Sequence, residues 1–412
     1  MLEDLGKNAV AAKKALAVAG SEKRTAAINA IAKALVENSD KILAANKIDI
    51  EDGRKNNLKE GFLDRLLLTE DRIKDMAKGA AEVAAMKDPV GKVLDGVVNK
   101  NGMTVTKRTV PMGVIAVIFE ARPNVTSDSA VLCLKAGNVV ILRGGKEAFN
   151  SNLAITDIMR EALVSVGLPA DCIQLVKDTS RESSKALMTL NKYVDVLIPR
   201  GGAGLIKAVV ENSTVPVIET GSGNCHIYVD KDADIDMAAN IIFNAKTQRI
   251  SVCNACESLL IHKDIAELAL IAIEKKLSEK NVEIHGDKFV QAVLPNVIPA
   301  TEEDWGTEYL DYKISIKVVN DIDEAIAHID RYSTGHSECI VTENLEASRK
   351  FLNEVDSAAV YVNVSTRFTD GGEFGYGAEI GISTQKLHAR GPLGIDTLVS
   401  YKYEIVGNGQ TR

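Results

Sequence analysis

From Pro111 onward the chain alternates short apolar runs with segments of helical period, and this alternation constrains the fold more than any single residue does. The runs at 114–119, 139–142, 173–176 and 194–198 are too short for helices and hold few polar positions. A strand with one wet face would alternate polar and apolar residues, so these runs predict strands buried on both faces. Between them, 127–135, 150–166 and 185–190 read as helices, the first closed by Gly137. Strand and helix in strict succession imply a parallel sheet covered on both sides. The pattern resumes after Cys253, with strands at 258–261, 314–319, 338–341 and 360–364 and helices at 266–277, 322–332 and 345–355. The expected class is α/β, built on two parallel-sheet domains.

Before Pro111, roughly the first ninety residues read as Ala- and Lys-rich helices, with Ala26, Ile28, Ile31, Leu35 and Ile42 as an apolar stripe. A hairpin follows over 92–110, turned at Asn101-Gly102. The segment 397–406 reads as a strand with no helix after it, expected to pair outside its own domain. A length of 412 residues suits two or three domains. With 49 basic against 57 acidic side chains the formal charge is −8, which argues against general nucleic-acid binding. No apolar run approaches the ~18 residues of a membrane span, and the first residues lack a signal peptide's basic start and apolar core. Six scattered cysteines, mostly in apolar segments, point to a reduced, cytoplasmic setting without a disulfide framework.

Cys253 lies in Lys246-Thr247-Gln248-Arg249-Ile250-Ser251-Val252-Cys253-Asn254, a polar, cation-flanked turn just before an apolar run. Lys246 and Arg249 are expected to favour the thiolate, the form that attacks carbonyls and acyl phosphates. Cys256 completes a two-cysteine pair, but a zinc site needs further ligands, there is no second pair, and the histidines are dispersed. No metal is expected. Two glycine turns follow predicted strands: Arg200-Gly201-Gly202-Ala203-Gly204 and Arg143-Gly144-Gly145-Lys146. Glycines let backbone approach a phosphate, and a helix N-terminus offers it free N–H groups. The first turn lacks the full dinucleotide fingerprint; in the second, two cations favour a phosphorylated ligand. The densest polar cluster, from Asn363 through Ser365, Thr366 and Arg367 to Arg390, suits a loop wrapping a small anion, with Arg367 and Arg390 as carboxylate partners.

Together these segments resemble the aldehyde dehydrogenase superfamily, and within it the γ-glutamyl phosphate reductases. The likeness rests on Pro111-Met112-Gly113-Val114-Ile115, Glu120-Ala121-Arg122-Pro123-Asn124-Val125, Ala245-Lys246-Thr247-Gln248-Arg249, Gly335-His336-Ser337-Glu338 and the runs 365–371 and 388–392. It implies an aldehyde-dehydrogenase-like fold: a Rossmann-type cofactor domain, an α/β catalytic domain and a small β oligomerisation arm. The corresponding division is 1–227 for the cofactor domain, 228–365 for the catalytic domain and 366–412 for the return and C-terminal arm strand, with the 92–110 hairpin joining the arm.

The resemblance also implies an activity: NADPH-dependent reduction of L-glutamyl 5-phosphate to L-glutamate 5-semialdehyde in proline biosynthesis, through a Cys253 thioester. It makes Arg143, Lys146, Gly201, Gly202, Gly204 and Glu308 cofactor residues, with Lys146 favouring NADP. Ser365, Thr366, Arg367 and Arg390 fall to the substrate, glutamyl 5-phosphate. Arg122 stands where the superfamily keeps its oxyanion asparagine, and Asn124 lies two residues on, so either can serve. Glu219 stands where hydrolytic members keep a base, which leaves a hydrolytic NAD-dependent aldehyde dehydrogenase as the alternative. Expected partners are other copies of the chain, as a dimer or tetramer, and the glutamate 5-kinase that supplies the labile substrate, with neither nucleic acid nor membrane.

Overall fold

The computed structural model describes residues 2–412. Two compact units are assembled from discontinuous segments: Met1–Glu219, Gly375–Gly381 and Leu393–Arg412 form the first, Thr220–Phe374 and Ile382–Pro392 the second. Among the described residues, no helix is long and apolar enough to cross a membrane.

Unit 1 begins with five helices, α1 (Leu2–Ala17), α2 (Gly20–Glu37), α3 (Ser39–Lys55), α4 (Glu60–Leu66) and α5 (Glu70–Ala85). The buried face of α2 is Arg24, Ala27, Ile28, Ile31 and Leu35, a three–four spacing. Ala26 faces solvent instead, because it stands two residues, about 200° of turn, from Ile28. Ile42 belongs to the separate helix α3. Then come β1 (Val93–Val98) and β2 (Thr104–Pro111), the expected hairpin, with Gly102 at φ 81° in its turn.

The parallel core of unit 1 follows: β3 (Val114–Phe119), α6 (Asn124–Lys135), β4 (Val139–Arg143), α7 (Phe149–Ser165), β5 (Ile173–Leu175), α8 (Arg181–Met188), β6 (Val196–Arg200) and α9 (Ala203–Asn212). The sheet order is β5-β4-β3-β6. All six residues of β3 are buried, as an apolar strand covered on both faces requires. Each such Val or Ile contributes about 1.5–3 kcal/mol by leaving water. The strand order reverses direction beside β3, and in open α/β sheets such a switch point opens a crevice at the carboxyl ends. The C-terminal strand Val399–Val406 pairs antiparallel with β2, from Val399↔Pro111 to Val406↔Thr104. It therefore pairs within its own unit, where the sequence suggested a partner elsewhere.

Unit 2 contains β7 (Cys225–Val229), α10 (Ile235–Thr247), β8 (Cys256–His262), α11 (Ala266–Leu277), β9 (Glu283–Gly286), α12 (Lys288–Val293), β10 (Ile298–Pro299), β11 (Lys313–Val319), α13 (Ile322–Tyr332), β12 (Ser337–Val341), α14 (Leu345–Glu354) and β13 (Ala359–Val362). They form a seven-stranded parallel sheet ordered β10-β9-β11-β8-β7-β12-β13. The division between units falls before Thr220, earlier than the expected boundary at 227, because β7 is an inner strand between β8 and β12. A break after residue 227 would cut that strand. Residues 366–374 also stay with unit 2, since Asn254 Nδ2 donates to the carbonyls of Arg367 and Thr369 at 3.2 and 3.0 Å. So does 382–392, which closes on itself through Ile382↔Pro392 and Ser383↔Gly391.

Candidate active site

In unit 1 the parallel strands carry three sequence-predicted clusters to one sheet edge. Ile118 pairs with Arg143 and Phe119 with Arg200, so the segments after β3, β4 and β6 emerge side by side. Helix α9 starts at Gly202 with no side-chain cap, and a Cβ at Gly204 would meet nothing within 4 Å. The Gly202 N–H donates to Glu120 Oε2 at 3.0 Å, so this turn already receives an anionic oxygen. Gly201 has no such latitude: a Cβ there would lie 2.8 Å from Glu120 and Leu205. The open helix start and bare glycines fit a dinucleotide's diphosphate.

The polar residues at this edge are differently disposed. Arg143 is half-buried, and its Nη2 donates to the carbonyls of Thr179 and Ser180 at 2.7 and 2.8 Å, tying β4 to the start of α8. Lys146 is exposed. Asn124 opens α6 and donates through Nδ2 to Asp128 at 2.9 Å. Burial pushes the Asp128 carboxyl up to about 6, against the pull of Asn124, Ser127 and Arg200. Arg122 sits in the preceding turn, with its N–H on the Glu120 carbonyl at 2.8 Å.

In unit 2 the thiol lies at the opposite kind of edge, before the amino ends of β7 and β8. Of the six cysteines five are buried, and Cys253 is partly exposed. Burial drives the neighbouring thiols of Cys225 and Cys256 well above the ordinary range, so both stay protonated. Cys225 pairs with Cys256 in register, which brings the turns two or three residues upstream together. Gly223 lies so close that a Cβ there would sit 1.4 Å from the Cys253 carbonyl oxygen. Nothing but glycine fits, and the sequence held no clue to this contact beyond the Gly221-Ser222-Gly223 spelling. The Gly223 N–H donates to Glu308 Oε1 at 2.8 Å, so the predicted Glu308 is one step from the thiol's backbone.

Of the two cations the sequence suggested beside Cys253, Lys246 is turned away, whereas Arg249 acts on the same Arg367 that Cys253 does. Lys246 is fully buried and donates to Glu257 Oε2 at 2.5 Å, so its charge is neutralised in the core. Burial pushes the Glu257 carboxyl up to about 7 against the opposing pull of Lys246. Arg367 takes the position beside the thiol: its Nε donates to Gln248 Oε1 at 2.8 Å and its Nη1 to Asn254 Oδ1. Burial and the Arg249 cation depress Arg367, while Cys253 and Asp370 pull the other way, which puts it within electrostatic reach of the sulfur.

The remaining polar cluster mainly braces this turn. Thr366 is buried and its Oγ1 donates to the Asn254 carbonyl at 2.7 Å. Ser365 Oγ accepts from the Arg367 N–H at 3.3 Å. Arg390 stands apart, with Nη1 on Asp356 Oδ1 at 2.8 Å. His336 is buried at the head of a hydroxyl chain through Ser337 and Thr369 to Tyr361, with links of 2.7, 2.6 and 2.7 Å. That chain was not foreseen from sequence.

Comparison with known proteins adds an independent line. The aldehyde dehydrogenase family model matches residues 2–296. A γ-glutamyl phosphate reductase of Caldanaerobacter subterraneus subsp. tengcongensis is 56% identical over 411 residues, covering 100% of this chain and 99% of its own. One from Carboxydothermus hydrogenoformans is 56% identical over 409 residues, covering 99% of each. The crystal structure of γ-glutamyl phosphate reductase from Thermotoga maritima superposes with a TM-score of 0.97 at 48% identity, covering 100% of this chain and 99% of that one.

Proposed function

The chain belongs to the aldehyde dehydrogenase family, among its γ-glutamyl phosphate reductases, and on that premise we propose that it reduces L-glutamyl 5-phosphate to L-glutamate 5-semialdehyde with NADPH, releasing phosphate in proline biosynthesis. The observation that carries the reading is Cys253: the one partly exposed thiol, in a turn gripped on both sides by Arg367. A cation so placed favours thiolate.

In this reading the Cys253 sulfur attacks the acyl carbon, a C–S bond forms, and the C–O bond to phosphate breaks with phosphate as leaving group. Backbone N–H groups at the Cys253 turn, with Arg122 or Asn124, stabilise the oxyanion. When bound, NADPH supplies the hydride. Gly201, Gly202 and Gly204 are assigned to its diphosphate, Arg143 and Lys146 to the adenosine end, and Glu308 to the nicotinamide ribose. Lys146, exposed and cationic, favours the extra phosphate of NADPH by Coulomb attraction. Ser365, Thr366, Arg367 and Arg390 are assigned to substrate, Ser365 and Thr366 through the turn they brace. Arg390 also holds Asp356 through Nη1. Self-association, association with the kinase that makes the acyl phosphate, and a cytoplasmic setting belong to the same proposal.

The test runs the reaction backwards. Semialdehyde oxidation with NADP should require inorganic phosphate, and Cys253→Ser should lower it by roughly a thousandfold or more. Oxidation that proceeds equally well without phosphate would favour the hydrolytic reading with Glu219 as base, and full activity in Cys253→Ser would end the thioester.

A further inference from the structure

The contacts around Cys253 close into a ring. Lys246, near the end of α10, leads directly into the Cys253 turn, and its ammonium donates to Glu257 Oε2 at 2.5 Å. The other oxygen, Glu257 Oε1, accepts from the Leu310 N–H at 3.3 Å. Leu310 has φ 53°, a left-handed conformation that a bulky side chain adopts only when its surroundings hold it there. Two residues earlier Glu308 accepts from the Gly223 N–H, and Gly223 rests on the Cys253 carbonyl. Cys253, Gly223, Glu308, Leu310, Glu257 and Lys246 thus lead back to Cys253, and Glu257 is the one side chain that holds two arcs at once.

We propose that Glu257 is a positioning residue for the reaction: one buried carboxylate fixes the thiol turn through Lys246 and the Glu308 loop through Leu310. The inference rests on the reading of Cys253 as nucleophile and Glu308 as a nicotinamide-ribose contact. Neither Glu257 nor Lys246 touches solvent, so neither touches substrate. A purely structural ion pair would explain burial and the short contact. It would not explain why the second oxygen props a strained residue of the loop that carries Glu308. A stability role and a positioning role also predict opposite behaviour on replacement, because a buried ion pair exchanged for apolar residues of similar volume often costs no stability.

Two double variants separate them. Lys246→Met with Glu257→Leu keeps the volume and removes both contacts; Lys246→Gln with Glu257→Gln removes the charges and keeps a hydrogen-bonding pair. Three readouts are taken on each full-length variant: melting temperature, the rate of Cys253 alkylation by iodoacetamide without cofactor, and NADPH affinity by nicotinamide fluorescence. The expected result for the apolar pair is a native-like melting temperature, alkylation changed about fivefold or more, and NADPH binding weakened about tenfold, with the amide pair recovering most of both losses. Alkylation and NADPH affinity within about twofold of native in the apolar pair would overturn the proposal. If that pair does not fold, the amide pair decides: changes smaller than those of Glu257→Ala in the same assays support the ring, and equal changes overturn it. Failure of the native chain to bind any nicotinamide dinucleotide would instead defeat the functional reading, while the alkylation rates still judge the ring.

Discussion

Gly223 shows how little room the Cys253 turn leaves. Its missing Cβ is the space taken by the Cys253 carbonyl, so Gly223→Ala must displace one strand start or the other. Overpacking of this kind costs typically about 1–3 kcal/mol, and the displaced thiol should cost activity on the order of a hundredfold. Steady-state kinetics beside a denaturation curve checks both; native activity in Gly223→Ala would show that the contact is loose. Arg367 supplies a second residue-level expectation. Removing its guanidinium leaves Arg249 as the nearby cation, because Lys246 is neutralised by Glu257. Arg367→Ala should therefore raise the pH at which Cys253 becomes alkylated, read from iodoacetamide rates across a pH series, and an unchanged profile would show that this cation does not act on the sulfur. The sequence singled out Cys253 from its polar setting but counted Lys246, with Arg249, among its cations from proximity along the chain. Proximity misled because α10 turns Lys246 inward onto a carboxylate eleven residues later, a partner that only folding supplies.

Elements with strong local signals were legible in detail. The helices read at 266–277 and 322–332 are α11 and α13 to the residue. The short helix read at 185–190 instead runs Arg181–Met188, because Ser180 caps it by accepting the Ser183 N–H, a start signal that periodicity overlooks. β7 was not read at all: Cys225-His226-Ile227-Tyr228-Val229 is a short run interrupted by the polar His226, although all five residues are buried. Its His226 lies against His328 of α13, ring centroids 5.6 Å apart, with Trp305 and Tyr332 on the other sides of His328. Burial first, then His226, Lys317 and Arg331, drive His328 down to about 3. The folded state thus binds fewer protons than the unfolded chain, whose histidine titrates near 6.5, and stability must fall as pH drops from there towards 3. By pH 4 this one group removes about 3 kcal/mol. Neither ring nitrogen has a protein hydrogen-bond partner, so His328→Phe leaves nothing unsatisfied. Its stability, measured by urea unfolding from pH 7 to pH 4, should fall less steeply than the native chain's by about that amount.

At the scale of the whole molecule, the α/β class with parallel sheets was legible from alternation alone, whereas the unit boundary and the meeting of Gly223 with Cys253 depend on strand register, which a one-dimensional pattern does not carry. The arm is an intermediate case. Its hairpin was read from Asn101-Gly102, but its third strand comes from the far end of the chain. The resulting three-stranded sheet leaves both outer strands unpaired along one edge. Val93, Leu94, Val97 and Val98 on β1 and Tyr401, Tyr403, Ile405 and Val406 on the C-terminal strand are all more than half exposed. Exposed edges and contiguous apolar surface together mark association sites, since a lone soluble chain rarely tolerates both. Charge on this sheet should therefore act on assembly rather than on folding. Val98→Asp with Ile405→Asp is expected to lower the mass measured by light scattering to that of a single chain, about 44 kDa from the 44.3 kDa composition, with an unchanged far-ultraviolet circular dichroism spectrum. An assembly of the same mass in the variant would exclude this sheet as the contact, and a native chain that already runs as a monomer would remove the reason for its exposed face.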